Sequence, residues 1–406
     1  MSEEFVIRMP PPSRELSRIA AVVGVGETDY FRDYQASRAK APGYEPPTAE
    51  HLARTAFERA LADSGLKRED IDGLLTSFIY GGPDPAATAE MFGLRPRRLI
   101  KNSPIMAGAL PLVCGEIAAG ECDTVALIYA GTPRSAARQY GGTTYATSSA
   151  ATSTYYYHLP WGWSSQAAHW AFIWSYYQAT FGAAEEDLGS IAVQLRKNAT
   201  ANPNAIMQTP MSIAEYMASR YIVRPIHLLD MCLVNDGAVC LIVQRVDRAR
   251  ERPHKPALIA GWGEAHVKAN KFDALVRQRL RPQLQEAGRQ AFEMAGLDRS
   301  DVQHFEVYDP STMHLVNQVE GYGFFEPGTA LEACKSGQLA VGGKLPVNTA
   351  GGLLSEAYMH GWNHVAEITR QLRGEAGARQ IPNLETSMFS LAQTDQAHPL
   401  IFQRGG

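Results

Sequence analysis

The sequence predicts an α/β protein built from two copies of one unit, and two internal matches carry that prediction. Ala60–Ser77 (ALADSGLKREDIDGLLTS) aligns with Ala291–Tyr308 (AFEMAGLDRSDVQHFEVY), so that Gly65, Leu66, Arg68, Asp70 and Ile71 match Gly296, Leu297, Arg299, Asp301 and Val302. Upstream, AAVVGVGETDY is echoed by ALIAGWGEAHV, with Gly24, Gly26 and Glu27 matching Gly261, Gly263 and Glu264. Two segments repeated in the same order and at nearly the same offset indicate duplication.

Each copy opens with an apolar strand and continues as an amphipathic helix that ends at Gly65 or Gly296. An Asp-containing turn and a second apolar strand follow. Further apolar runs, TVALIYAG and GAVCLIVQR, alternate with helical patterns and favour α/β layers around a largely parallel sheet. The first unit is read as residues 18–250 and the second as 256–406, joined by the charged, proline-containing RARERPHKP. Residues 132–215 interrupt the first unit with a Tyr-, Trp-, Ser- and Thr-rich insertion, read as a packed cap or dimer contact that also lines a pocket for a large apolar ligand.

At 406 residues the chain is long enough for two cores. A net charge of -4 gives no reason to expect nucleic acid or an anionic membrane surface. No 18-residue apolar run and no signal-peptide pattern is present, so a cytosolic location is expected. The five cysteines, Cys114, Cys122, Cys232, Cys240 and Cys334, contain no CxxC pair. They are read as buried and reduced, with no metal site expected.

The segments AVVGVGETDY, AAGECDTVALIYAG, AEYMASRYIVRPIHLLDMCLVNDGAVCLIV, YDPSTMHLVNQVEGYGFFEPG and PVNTAGGLLSEAYMHGWNHVAEITRQLRG resemble the thiolase superfamily, in its sterol-carrier-protein-type branch, across nearly the whole chain. The resemblance implies a thiolase fold: two βαβαβ-type halves in an α/β/α/β/α stack, with a loop-domain insertion. It also implies a homodimer and a coenzyme A thioester as substrate. The departures decide the chemistry. Where thiolases place the nucleophilic Cys, counting back from Gly120 reaches Ser103, whose KNSPIM context also reads as a helix N-cap followed by Pro. The family's catalytic His falls on Tyr358, its Asn or His on Tyr308, and its second Cys has no counterpart in SMFSLAQTDQAHPLIF.

Tyrosine is a poor base for generating a nucleophile, since a phenol of pKa ~10 needs about 4 kcal/mol to reach half ionisation at pH 7. Retro-aldol cleavage asks less: a base or relay at a β-hydroxyl, an acid at Cα and a site for the enolate oxygen. A tyrosine at both positions resembles the steroid side-chain aldolases of bacterial sterol catabolism. That likeness implies cleavage of a 17-hydroxy-steroid C22-CoA thioester to a 17-ketosteroid and propionyl-CoA. It further implies a small OB-fold and zinc-ribbon partner in an α2β2 complex, and no cofactor, coenzyme A being part of the substrate. It assigns proton transfer to Tyr308 and Tyr358, with Tyr358 expected nearer the hydroxyl, an order the residues leave open. The helix opened by Ser103 and the Gly351–Gly352 turn are expected to hold the enolate oxygen. His360 is expected either to tune Tyr358 by a hydrogen bond or to be structural. Asp309 reads as supporting, more simply as an Asx-turn residue. His158 and Trp161 are candidates for the pocket mouth. Asn348 and Asp236 read as turn residues. The alternatives are a divergent acyltransferase and a non-catalytic acyl-CoA-binding subunit.

Overall fold

The computed structural model describes residues 6–40, 43–78, 84–101, 106–138, 161, 165–267 and 281–406. The first half holds β1 (Val6–Arg8), β2 (Ala20–Glu27), α1 (Tyr30–Ala39), α2 (Ala49–Ser64), β3 (Gly73–Phe78), α3 (Pro85–Phe92), β4 (Arg98–Lys101), α4 (Met106–Ala118) and β5 (Thr124–Gly131). The insertion contributes α5 (Gln166–Phe181), α6 (Glu185–Ala199) and the start of α7 (Ile213–Ala218), and the ribbon of β6 (Tyr221–Val223) and β7 (Ile226–His227) follows it. The half closes with β8 (Gly237–Arg245) and α8 (Val246–Ala249). The second half holds β9 (Ala257–Trp262), β10 (Ala265–Val267), α9 (Pro282–Ala295), β11 (His304–Val307), α10 (Thr312–Gly321), α11 (Ala330–Lys335), α12 (Gly352–Ser355), α13 (Trp362–Arg373), β12 (Thr386–Ala392) and β13 (Gln396–Arg404).

The strand order repeats between the halves. β2-β8-β5-β3-β4 in the first corresponds to β9-β13-β12-β11 in the second, extended by a bridge from Phe305 to Val347. Ala21–Leu258 and Val22–Ala257 join β2 to β9 and so the halves into one sheet, and β1 also crosses to pair with β10. The sheet is mixed, which corrects the expectation of a largely parallel one. β8 and β13 run antiparallel to both of their long neighbours, while β3–β4, β3–β5 and β11–β12 are parallel. Helices cover both faces, so long strands such as β5 and β8 are near-continuous apolar runs and their direction leaves no mark in the sequence.

The repeated glycines bring helix and strand together. A Cβ on Gly26 would lie 2.0 Å from the Ala56 carbonyl oxygen of α2, and one on Gly263 2.0 Å from the Ala287 carbonyl oxygen of α9. Side chains at either position are excluded because the outer helices pack directly on the strand backbone. Inside, α4 and α13 lie between the halves, in a buried cluster that joins Leu110 and Val113 to Leu127, Leu241, Phe389 and Phe402. α5 is a packed cap: Trp170, Trp174 and Tyr177 are buried in the cluster of the second half. No helix among the described residues is long and apolar enough to cross a membrane.

Candidate active site

Tyr308 stands at the carboxyl end of β11, where Asn348 fixes its approach. The Asn348 side chain accepts from Val307 N at 2.6 Å and donates to Val307 O at 2.9 Å, imitating a strand partner. Ser390 O receives Tyr308 N at 2.9 Å, and Gln318 Nε2 donates to Tyr308 O at 3.0 Å. Tyr358 follows α12, and its N–H donates to Asn235 Oδ1 at 2.8 Å. α12 is clamped from the insertion: Met207 N donates to Ser355 O, Ile206 N to Glu356 O, and Asn202 Nδ2 to Glu356 Oε1. Asp236 does more than terminate a turn, since it accepts from the amides of Arg134 and Ser135 and anchors the start of the insertion.

These frames bring the two phenols together, with Tyr308 Oη 2.8 Å from Tyr358 Oη. Tyr308 is buried and Tyr358 is partly exposed. Burial, then the Tyr308 phenol beside it, pushes Tyr358 well above the ordinary tyrosine value, so it is protonated at neutral pH. His360 meets Tyr358 edge to face, ring centroids 4.7 Å apart. No hydrogen bond joins them, which corrects one of the two readings of His360. Its Nε2 is buried without a hydrogen-bond partner, its backbone is left-handed (φ 51°), and burial lowers its pKa to about 3. His360 is therefore a neutral imidazole with one unused polar atom beside the phenols.

Behind Tyr308 lies a buried charged chain, of which the sequence singled out Asp309 but neither Glu306 nor His364. Glu306, Asp309 and His364 have no solvent exposure. His364 Nδ1 is 2.6 Å from Glu306 Oε2, and its Nε2 is 3.3 Å from Asp309 Oδ1. Burial pushes the Glu306 carboxyl up, but hydrogen bonds from His304 and His364 outweigh it and hold the group at about 2. Burial also disfavours charge on His364, yet Asp309 and Glu306 raise it to about 10, so it is an imidazolium. Asp309 is pushed up by burial. It is not an Asx-turn residue: its Oδ1 accepts from Leu353 N at 2.9 Å, tying the end of β11 to α12. A signal was available, because the duplication aligns Glu306 with Leu75, a buried core residue.

The Gly351–Gly352 turn commits one of its two amides internally. Gly351 N donates to Asn348 O at 2.9 Å, so that amide is used within the turn. Both glycines are buried and have positive φ. A Cβ on Gly352 would lie 2.3 Å from Asp309 Oδ2 and 2.7 Å from Asn348 Nδ2, so a side chain there would displace both. Trp161 is 87 % exposed. Ser103 and His158 lie outside the described residues. Among the cysteines, Cys114, Cys122, Cys240 and Cys334 are buried as expected, whereas Cys232 is partly exposed and lies near Tyr358. Burial, then the Asp309 charge, pushes the Cys232 thiol up to about 12. It is no thiolate at neutral pH.

Two facing phenols, a neutral imidazole and no activated thiol among the described cysteines suit proton transfer rather than acyl-enzyme formation. Residues 269–394 match the family model described as "Thiolase C-terminal domain-like". The chain is 33 % identical over 370 residues to a "Steroid side-chain-cleaving aldolase" of Thermomonospora curvata, covering 87 % of this chain and 90 % of that one. It is 34 % identical over 372 residues to a "17-hydroxy-3-oxo-4-pregnene-20-carboxyl-CoA lyase" of Mycobacterium tuberculosis, covering 88 % and 92 %. Its fold superposes on the solved "Ltp2-ChsH2(DUF35) aldolase" with a TM-score of 0.83 and 30 % identity, over 96 % of this chain and 98 % of that one. The chain belongs to the thiolase superfamily, in the family of these steroid side-chain-cleaving aldolases.

Proposed function

We propose that the protein is a carbon–carbon lyase that cleaves a β-hydroxyacyl-CoA by retro-aldol chemistry, with a 17-hydroxy-steroid C22-CoA as substrate and a 17-ketosteroid and propionyl-CoA as products. The 2.8 Å contact between the Tyr308 and Tyr358 hydroxyls carries this reading. Because Tyr358 is held protonated, a standing phenolate is not the base. A relay meets the same need. As the Cα–Cβ bond breaks, the substrate hydroxyl gives its proton to one phenol oxygen, that phenol passes its own proton to the second, and the second protonates Cα. The ketone and the shortened acyl-CoA then contain every atom of the substrate, and neither phenol is left charged. The unpartnered Nε2 of His360 is the group offered to the thioester oxygen as it becomes an enolate, donating from the Nε2–H tautomer of the neutral imidazole.

Neither step uses a cofactor. A homodimer and a small OB-fold, zinc-ribbon partner in an α2β2 complex belong to the same reading, and the DUF35 component in the name of the matched aldolase supports the presence of a partner. So does work in the cytosol.

The test supplies the hydroxyacyl-CoA with no free coenzyme A. Release of ketone and propionyl-CoA in equal amounts is expected, and Tyr358→Phe is expected to slow it about 10²–10⁴-fold. Product that appears only when free coenzyme A is added would instead identify thiolysis.

A further inference from the structure

Away from the tyrosines, the ladder between β10 and β13 gathers a second set of chemically capable side chains. The strands are antiparallel, with Ala265 opposite Ala397 and His266 opposite Gln396. Side chains alternate along a strand, so Glu264 and His266 share a face, as do Gln396 and His398. Ala265 and Ala397 point into the buried cluster that includes Leu284 and Ala287 of α9. Glu264, His266, Gln396 and His398 therefore occupy the opposite face, and one step along the register sets Glu264 across from His398.

We infer that Glu264, His266 and His398 form a binding site for a divalent transition-metal cation of the zinc class. One donor atom from each residue lies within 4.8 Å of the others. His266 Nε2 is 2.7 Å from Glu264 Oε1, and the two imidazole rings meet nearly perpendicularly with centroids 5.6 Å apart. Small side-chain rotations bring such donors onto bonds of about 2.0–2.2 Å. Two imidazoles and one carboxylate form a donor set suited to zinc, whereas calcium and magnesium require oxygen ligands throughout.

Two further observations sit at the same place. Gln396 Oε1 is 3.1 Å from His398 Nε2 and orients that ring. Asp395, in the turn before β13, has a buried Oδ1 with no hydrogen-bond partner, and its charge reaches His398. All three donor residues are partly exposed, so the cation can enter from solvent. The cysteine spacing that argues against zinc has no bearing on this histidine pair. The cation would tie β10 to β13, and with it β1, which pairs along β10 from Val6 to Arg8. It takes no part in the reaction proposed above, and the inference stands independently of it.

The untagged full-length chain, freed of metal with a chelator, is titrated with Zn²⁺ by calorimetry and melted with and without the ion. One saturable equivalent per chain and a higher Tm are expected, because a ligand bound only by the folded state stabilises it. The double substitution His266→Gln and His398→Gln is expected to weaken binding at least about tenfold and to abolish the rise in Tm. His254→Gln, which alters the separate His254–Glu375 pair, is expected to retain both. Cobalt(II) gives a second readout, a visible ligand-field spectrum that the double substitution removes. Unchanged affinity in the double variant, or no bound equivalent in the wild type, would overturn the site.

Discussion

The two halves share a strand order, a helix–strand contact and a glycine pair, yet they fill the same inward positions with opposite chemistry. β3 directs Leu75 toward the central layer, and β11 directs Glu306. Ser77 stands where the second half has Tyr308. The central helices divide likewise: α4 is lined by Leu110, Val113 and Cys114, whereas α13 buries Asn363, His364 and Glu367. The first half shows that the fold is satisfied by leucine at that position. The buried charges of the second half instead include the tie between the end of β11 and α12, beside the point where the two phenols meet.

Giving the second half the chemistry of the first is expected to have the largest effect. His364→Leu leaves Glu306 and Asp309 buried without their cation and is expected to cost about 3–5 kcal/mol, read from a denaturant midpoint. Adding Glu306→Leu removes one stranded carboxylate, and the double variant is expected to recover a substantial part of that loss. Turnover does not recover, because Asp309 and α12 are still unsupported. A double variant no more stable than His364→Leu would mean that the halves are not interchangeable at this layer.

Acidity sharpens the same point. Glu306, ordinarily near 4.5, is held at about 2, so its stabilising contribution is present above 4.5 and lost as pH falls toward 2. His364, ordinarily near 6.5, is raised to about 10, so its contribution is full below 6.5 and lost as pH rises toward 10. The stability advantage of the wild type over the Glu306→Leu, His364→Leu variant is therefore expected to be greatest between pH 4.5 and 6.5. It should shrink by several degrees of Tm toward pH 10. A constant difference across that range would show that His364 carries no linked proton.

How far this was legible in the sequence depends on the range of the interactions involved. The duplication was readable because its glycines and turns are local. Tyr308 and Tyr358 could be singled out because each stands in a motif with a family counterpart. The 2.8 Å contact between them was not visible there, since it is made between residues fifty positions apart. Glu306 reads as one polar residue in a strand and His364 as one in an amphipathic helix; only folding shows that they pair. Asp309 was misread because Asp-Pro ordinarily opens a turn, while here its partner is Leu353, forty-four residues away. The mixed direction of the sheet was hidden because apolar strands covered on both faces look alike whichever way they run.

The smallest effect expected tests whether the halves are equal where chemistry makes no demand. A Cβ at Gly26 meets the Ala56 carbonyl oxygen, and one at Gly263 meets that of Ala287, each at 2.0 Å. Both contacts are to backbone, so neither is relieved by rotating a side chain; helix and strand must separate. Gly26→Ala and Gly263→Ala are each expected to cost about 1–3 kcal/mol, measured by chemical denaturation. The two losses should agree within about 0.5 kcal/mol and, lying on the outer face of the sheet, should add when combined. A much larger loss at Gly263 would mean that the second half, already holding buried charge, tolerates less displacement of its strands than its copy.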